Sequence, residues 1–215
     1  MTRFCSSCGS SLSLQLPPGE DRERHCCNDC GDIHFINPRI VVASIIDAGE
    51  KVLLCQRSIP PRKGFWTLPG GFMECGETMA QAAEREVLEE TGAGVDIDSI
   101  YMLCEQPDVS EVYLIYRGRP RSLDLMPGPE CIDAEWFDAS EIPWNSLAFP
   151  LVAKVLRNYF HDRRSADSLP IRSSRHHSRR SIITASEKIP TLPSLNQAIR
   201  QVHFTHVGEP PDGYF

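Results

Sequence analysis

No stretch of this chain is apolar for the ~20 consecutive residues that a helix needs to span a bilayer. Its first residues, Met1-Thr2-Arg3-Phe4-Cys5, hold no apolar core of the kind a secretory signal requires. Both absences predict a cytoplasmic protein without a membrane partner. Excess basic charge is missing too. The 22 Lys and Arg face 29 Asp and Glu, for a net charge of −7, so a general nucleic-acid binder is not expected, although arginines gather near residue 175. What remains is ordinary globular composition, 41% hydrophobic and 24% charged, in a length that buries one sizeable core plus a small appendage.

The nine cysteines are not read as disulfide partners, because four of them form two Cys-x-x-Cys pairs close together, which points to metal in a reducing compartment. Residues 1–36 hold Cys5-x-x-Cys8-Gly9 and Cys27-x-x-Cys30-Gly31, separated by 18 residues. Two such turns can set four thiolates around one Zn²⁺, each glycine easing its turn. A segment this small has little core, so the metal would hold it folded; structural zinc contributes roughly 10–16 kcal/mol in finger peptides. A four-cysteine site is closed and therefore structural. Cys26 is a spare, and Arg22, Arg24 and His25 against Glu20, Asp21, Glu23 and Asp29 leave no basic footprint.

The body, residues 37–162, starts at Asn37-Pro38. The strand-like run from Arg39 to Asp47, a turn at Ala48-Gly49-Glu50 and the run from Lys51 to Arg57 predict a hairpin. Residues 95–106, 111–119 and 134–137 are further strand candidates. A helix is expected from about Asn145 to Phe160, with Leu147, Leu151, Val155 and Tyr159 as its packing stripe. Strands of mixed order flanked by two helices indicate an α/β sandwich.

The chemistry concentrates between Gly71 and Ala93. Thr78 to Thr91 reads as one helix, with Thr78 and Gln81 forming a capping box and Gly92 as the stop. Glu86, Glu89 and Glu90 fall at i, i+3 and i+4 on one face, beside the apolar strip of Ala83 and Val87. Like charges at that spacing oppose one another by ~0.2–0.5 kcal/mol per pair. Burying a carboxylate costs more. A cation is expected there, and oxygen ligands without His or Cys suit Mg²⁺ or Mn²⁺ rather than Zn²⁺.

Gly71, five residues, Glu77, seven residues, then Arg85-Glu86-Val87-x-Glu89-Glu90-x-Gly92-Ala93 resembles the Nudix box at every defined position. The resemblance implies a Nudix α/β/α sandwich with a mixed sheet behind a small zinc ribbon. It also implies metal-dependent hydrolysis of a nucleoside diphosphate linked to another moiety, with Mg²⁺ or Mn²⁺ catalytic and Zn²⁺ structural. By the same resemblance Glu86, Glu89 and Glu90 hold the divalent ions, the Gly70 carbonyl is a ligand, and Glu130 is a further one. Glu130 lies in a stretch, Glu130 to Pro143, similar to one in NADH pyrophosphatases. The general base would be Glu86 or Glu130. Arg85 and Glu77 read as a structural brace. Relatives often dimerise, so a homodimer is an expected assembly.

NADH pyrophosphatases carry Ser-Gln-Pro-Trp-Pro-Phe-Pro-x-Ser after the box, whereas only Gln106-Pro107 stands here, followed by Asp108-Val109-Ser110. The chain resembles more closely a group that includes plant enzymes cleaving FAD and ADP-ribose. The shared stretches include Val52-Leu53-Leu54-Cys55-x-Arg57, Trp66-Thr67-Leu68-Pro69 and Pro127-Gly128-Pro129-Glu130. FAD (to FMN and AMP) or ADP-ribose (to AMP and ribose 5-phosphate) is therefore the expected small-molecule substrate. NADH, capped RNA, or non-catalytic sensing of ADP-ribose are the alternatives. Phe65, Trp66 and Phe149 are candidates to stack a ring and Arg57 to meet a phosphate, although all four are equally suited to packing.

Residues 163–215 form a basic extension, rich in Ser, Arg and His as far as Arg180. So few apolar residues predict disorder through about Pro190, then a short helix in PSLNQAIRQVHF. His176-His177 would bind metal only adventitiously.

Overall fold

A computed structural model describes residues 4–165 and 171–175, the side chains of Ser165 and Arg175 excepted. Near the N-terminus, β1 (Leu12–Gln15), β2 (Arg24–Cys27) and β3 (Ile33–His34) form an antiparallel sheet of their own. The body contributes β4 (Arg39–Ala48), β5 (Lys51–Arg57), β6 (Trp66–Thr67), β7 (Gly70–Phe72) and α1 (Met79–Thr91). There follow β8 (Val95–Gln106), β9 (Glu111–Pro120), β10 (Cys131–Asp138), α2 (Pro150–Ser165) and β11 (Arg172–Arg175). Among the described residues no helix is long and apolar enough to cross a membrane.

The large sheet runs β10-β5-β4-β9-β8-β11, with β6 paired to β5 and β7 to β4. Pairing is antiparallel except for β4 with β9 and β8 with β11, so the sheet is mixed. Alternation of side chains sorts the core into two faces. Ile45, Val52, Leu54 and Ile115 pack with Leu151, Val155, Leu156 and Tyr159 of α2. Their immediate neighbours Ile46, Leu53, Leu114 and Tyr116 turn the other way, toward Val87, Ala82 and Ala83 of α1. The result is the expected sandwich, with one helix on each face.

Three expectations are corrected. The last helix begins at Pro150, not near Asn145; Trp144–Ser146 is an isolated 3₁₀ turn. Proline disfavours helical backbone in the residue before it and suits the first helical position, where its missing N–H costs nothing. The same helix continues past Phe160 to Ser165. Finally, the run expected to be unordered from Arg163 contains β11, which pairs in parallel with Met102–Glu105 of β8. The RSSR sequence of β11 has no apolar pattern; its order comes from the edge it covers and from Arg172. That guanidinium pairs with the carboxylate of Asp162, which also accepts from the Tyr101 hydroxyl at 2.8 Å. Arg172 and Tyr101 hold the Asp162 carboxyl below its usual range. The helix expected in PSLNQAIRQVHF and the His176-His177 pair lie outside the described residues.

Candidate active site

Helix α1 is built as its sequence dictates. The Thr78 side chain accepts from Gln81 N, Gln81 returns the bond to Thr78 N, and Gly92 closes the helix in the left-handed conformation, donating to Leu88 O. Ala82, Ala83, Val87, Glu90 and Thr91 face the sheet, so one of the three acidic residues is buried with them. Glu90 is 8% exposed. Its Oε2 accepts from Gly70 N at 2.9 Å and from Cys55 Sγ at 3.5 Å, and burial still lifts its pKa to about 7. Glu86 is partly buried, and burial raises its carboxyl too; the Arg85 guanidinium opposes that rise, while Glu89 and Glu130 add to it. Glu89 is exposed.

Gly70 is required by contact with backbone, and Gly71 lies against the Glu86 carboxylate. A Cβ on Gly70 would lie 2.3 Å from Val42 O, and one on Gly71 would lie 2.6 Å from Glu86 Oε1. The loop before Glu130 is fastened to the end of α1 by Met126 N to Thr91 O (2.8 Å) and Gly128 N to Glu90 O (3.1 Å). A Cβ at Gly128 would come within 1.9 Å of Glu89 O. Ser58 N then donates to Glu130 O at 2.8 Å. The exposed Glu130 is thus delivered by backbone to the acidic face, close enough for its charge to act on Glu86.

Arg85 does more than brace. It donates to both oxygens of Glu77 (3.0 and 2.8 Å) and to Phe72 O (3.0 Å), as expected of a strut for the 72–77 loop. The same guanidinium reaches Glu86 Oε1 at 2.8 Å and Glu89 Oε2 at 3.0 Å. Glu77 is held down, to about 2, by this partner. Glu86 and Glu89 are therefore drawn toward Arg85, while Glu90 turns inward to Gly70 and Cys55. Among the described residues the metal-suited groups with ligand atoms all within 4.8 Å do not include these three carboxylates together. The donor set still fits a hard divalent cation. It offers only oxygens, it is partly desolvated, and burial raises two of its members in a way that a cation would relieve.

The expected substrate contacts divide. Arg57 lies with its guanidinium carbon 5.5 Å from the Phe149 ring centre, and its charge lowers the Glu90 carboxyl. Those two are brought together. Trp66 instead packs edge-on against Phe137, ring centres 4.9 Å apart, and its carbonyl accepts from Ala148 N.

In the ribbon, Cys5 and Cys27 each open a matching turn, with Gly9 N to Cys5 O (2.9 Å) and Gly31 N to Cys27 O (3.1 Å). Gly9 and Gly31 have φ of 78° and 79°, which explains both glycines. The four sulfurs of Cys5, Cys8, Cys27 and Cys30 lie within 4.8 Å of one another. Cys5–Cys30 and Cys8–Cys27 separations are 3.6 and 3.4 Å. A tetrahedron with Zn–S of about 2.3 Å has edges of about 3.8 Å, so the cluster fits zinc. Cys26 stays outside it. His34, not anticipated from the sequence, places Nε2 3.4 Å from Cys5 Sγ and 3.5 Å from Asp32, whose carboxylate accepts from Ser7. The His34 contact holds the Cys5 thiol down, to about 6. Cys55 and Cys131 were also unanticipated at the site; both are buried beside Glu90.

The model of the NUDIX domain family matches residues 36–159, and that of the Nudix N-terminal zinc ribbon matches residues 3–35. The chain is 34% identical to an ADP-ribose pyrophosphatase of Methanocaldococcus jannaschii, over 58% of this chain and 75% of that protein. It is 33% identical to the NAD-capped RNA hydrolase NudC of Vibrio atlanticus over 76% of this chain, but spans only 60% of that relative's length. A crystal structure of a NUDIX hydrolase from Nitrosomonas europaea superposes with a TM-score of 0.79 at 39% identity, covering 82% of this chain and 99% of that one. By fold, by box and by match, the chain belongs to the NUDIX domain family.

Proposed function

We propose that the chain is a Nudix pyrophosphohydrolase that cleaves a dinucleotide-type substrate, ADP-ribose first and FAD within the same class, to AMP and the other phosphorylated half. The observation that carries the reading is the acidic face itself. Glu86, Glu89 and Glu90 stand on one short helix, with the Gly70-Gly71 backbone pressed against two of them and Glu130 tied in by the Gly128 loop. Glu86, Glu89, Glu90, Glu130 and the Gly70 carbonyl would hold Mg²⁺ or Mn²⁺. When bound, such an ion neutralises phosphate charge and makes a water nucleophilic near neutral pH.

The protein's own groups do the rest. Arg85 holds Glu86 and Glu89 in place from the side and keeps their rotamers few. Gly70 N fixes Oε2 of Glu90. Burial raises the affinity of Glu86 for a proton, which suits it to accept one from the attacking water. Arg57, over the face of Phe149, is positioned to meet a substrate phosphate while the ring offers a stacking surface. Zn²⁺ in the four-cysteine cluster is structural in this reading.

ADP-ribose leads because of the named relative in Methanocaldococcus jannaschii. A second reading, hydrolysis of an NAD-type pyrophosphate, is favoured by the similarity to NudC over 76% of this chain. Against it stands the sequence after β8, where Gln106-Pro107 leads into a short turn rather than the long Trp- and Phe-bearing motif. Product analysis on ADP-ribose, FAD, NADH and NAD-capped RNA with Mg²⁺ or Mn²⁺ separates them. Release of AMP from ADP-ribose or FAD at the highest kcat/KM supports the first reading. Equal or faster cleavage of NADH or the capped RNA overturns it.

A further inference from the structure

Beside Glu90 lies a set of side chains that the hydrolase reading does not use. Cys55 on β5 is fully buried, and Cys131 at the start of β10 is 8% exposed, as is Glu90. One ligand atom from each lies within 4.8 Å of the other two. Two thiols and a carboxylate from three different elements converge here without any disulfide.

A defect in the sheet creates the convergence. Between Cys131 and Asp133 the β10–β5 register shifts, so that Cys131 pairs with Arg57 and Ala134 with Cys55. In an unbroken strand residues 131 and 134 would face opposite ways; the bulge at Ile132 turns both inward, and both are buried. Cys131 is held there by its N–H, which donates to Gly128 O at 3.0 Å, the same loop that is fastened to α1.

The dimensions match a soft cation. For Zn–S of about 2.3 Å and Zn–O of about 2.1 Å, a tetrahedral S···O edge is about 3.6 Å. Cys55 Sγ and Glu90 Oε2 are 3.5 Å apart. Thiolate ligands select Zn²⁺ and similar thiophilic ions over Mg²⁺, which takes oxygens. The Glu90 atom concerned is Oε2, which also accepts from Gly70 N at 2.9 Å.

We propose that Cys55, Cys131 and Glu90 form a second metal site, distinct from the ribbon, that takes a thiophilic divalent cation such as Zn²⁺ and shuts off hydrolysis by engaging Glu90. Binding displaces waters from the hydrated cation, releases to solvent the two thiol protons and any proton on Glu90, and forms two metal–sulfur bonds and one metal–oxygen bond; nothing is oxidised or reduced. The loss of activity rests on the proposed hydrolase role of Glu90, whereas the site itself does not.

The test uses the full-length protein with its ribbon zinc in place, a non-chelating phosphine reductant and excess Mg²⁺. Bound Zn²⁺ is counted by equilibrium dialysis against a competing chelator for wild type, Cys131→Ser, Cys131→Ala and Cys55→Ala. Wild type is expected to bind one equivalent more than each variant. In parallel, Zn²⁺ is titrated into the Mg²⁺-supported reaction on ADP-ribose. Cys131→Ser is expected to keep its activity without Zn²⁺ and to need about tenfold more Zn²⁺ for half-inhibition, the scale of a lost ligand-shell contact. The proposal is overturned if wild type and every folded variant bind the same number of zinc ions, whatever the activity shows. It is also overturned if the second equivalent is present yet Cys131→Ser is inhibited along the same curve as wild type. Because the count needs no substrate, failure of the site and failure of the hydrolase reading give different results.

Discussion

Glu90 keeps its proton to about pH 7 because it is buried, while an ordinary glutamate in the unfolded chain loses it near 4.5. A folded-state pKa raised in this way stabilises the fold fully below 4.5 and loses that contribution as pH climbs through 7. Replacing Glu90 by Gln removes the dependence. In urea titrations without added divalent cation, wild type should therefore lose stability relative to Glu90→Gln between pH 4.5 and 7, by on the order of 3 kcal/mol, each tenfold in proton affinity being worth ~1.4 kcal/mol. A constant difference across that window contradicts the burial argument. Glu77 has the opposite sign. Arg85 holds it down to about 2, so its contribution is present above 4.5 and fades as the solution is acidified toward 2. The sequence spelled out both carboxylates but not this contrast, because i, i+3 and i+4 spacing says which side chains share a face and not which one the sheet covers. The pairing of Arg85 with Glu77 spans a loop, whereas its contacts to Glu86 and Glu89 run along its own helix, the latter at i+4.

At the scale of elements, α1 and the glycine loop act as one part. Gly71→Ala tests that joint. Gly71 needs no left-handed backbone, and the added methyl would meet only the carboxylate end of Glu86, at 2.6 Å. The side chain can swing away, so the fold should survive with an unchanged circular-dichroism spectrum. Displacing a carboxylate proposed to hold the metal by about 1 Å should lower kcat about 10²-fold. Full activity in Gly71→Ala would show that Glu86 need not sit against this loop. The caps, the hairpin β4–β5 and the strands β8 and β9 were readable because each is decided locally, by a capping box, a turn or alternation. β11 was not. Its four polar residues are ordered by the exposed edge of β8 and by the buried Asp162, contacts more than 60 residues apart in the case of Tyr101 and Asp162. Arg172→Ala should cost about 2 kcal/mol, below the usual penalty for orphaning a buried charge because Arg172 is itself partly open to solvent. Thermal unfolding monitored at Tyr fluorescence measures it, and an unchanged midpoint would mean that β11 is not anchored by this pair. The bulge that brings Cys131 to Cys55 was equally invisible, since nothing in Glu130-Cys131-Ile132-Asp133 announces an extra residue in the strand.

Among the described residues a cluster of sulfur donors and a stripe of oxygen donors sit on one chain. Four soft sulfurs cluster in residues 5–30, while Glu86, Glu89 and Glu90 stand on α1. Their separation was legible because thiol pairs and a carboxylate stripe are patterns of type and spacing; the tie from His34 to Cys5 was not, since it depends on β3 folding back against the turn. Stripping zinc should therefore expose the amides of β1–β3 to rapid hydrogen exchange and leave β4, β5, β8 and β9 protected. Uniform loss of protection would mean that the ribbon supports the body as well.

The most direct measurement is Mg²⁺-dependent release of AMP from ADP-ribose by wild type, Glu89→Gln and Glu90→Gln, each checked for an intact fold by circular dichroism. The account predicts Mg²⁺-dependent turnover in wild type and a fall of about two orders of magnitude or more in both variants. Both variants turning over at the wild-type rate, with the same Mg²⁺ dependence, would contradict it.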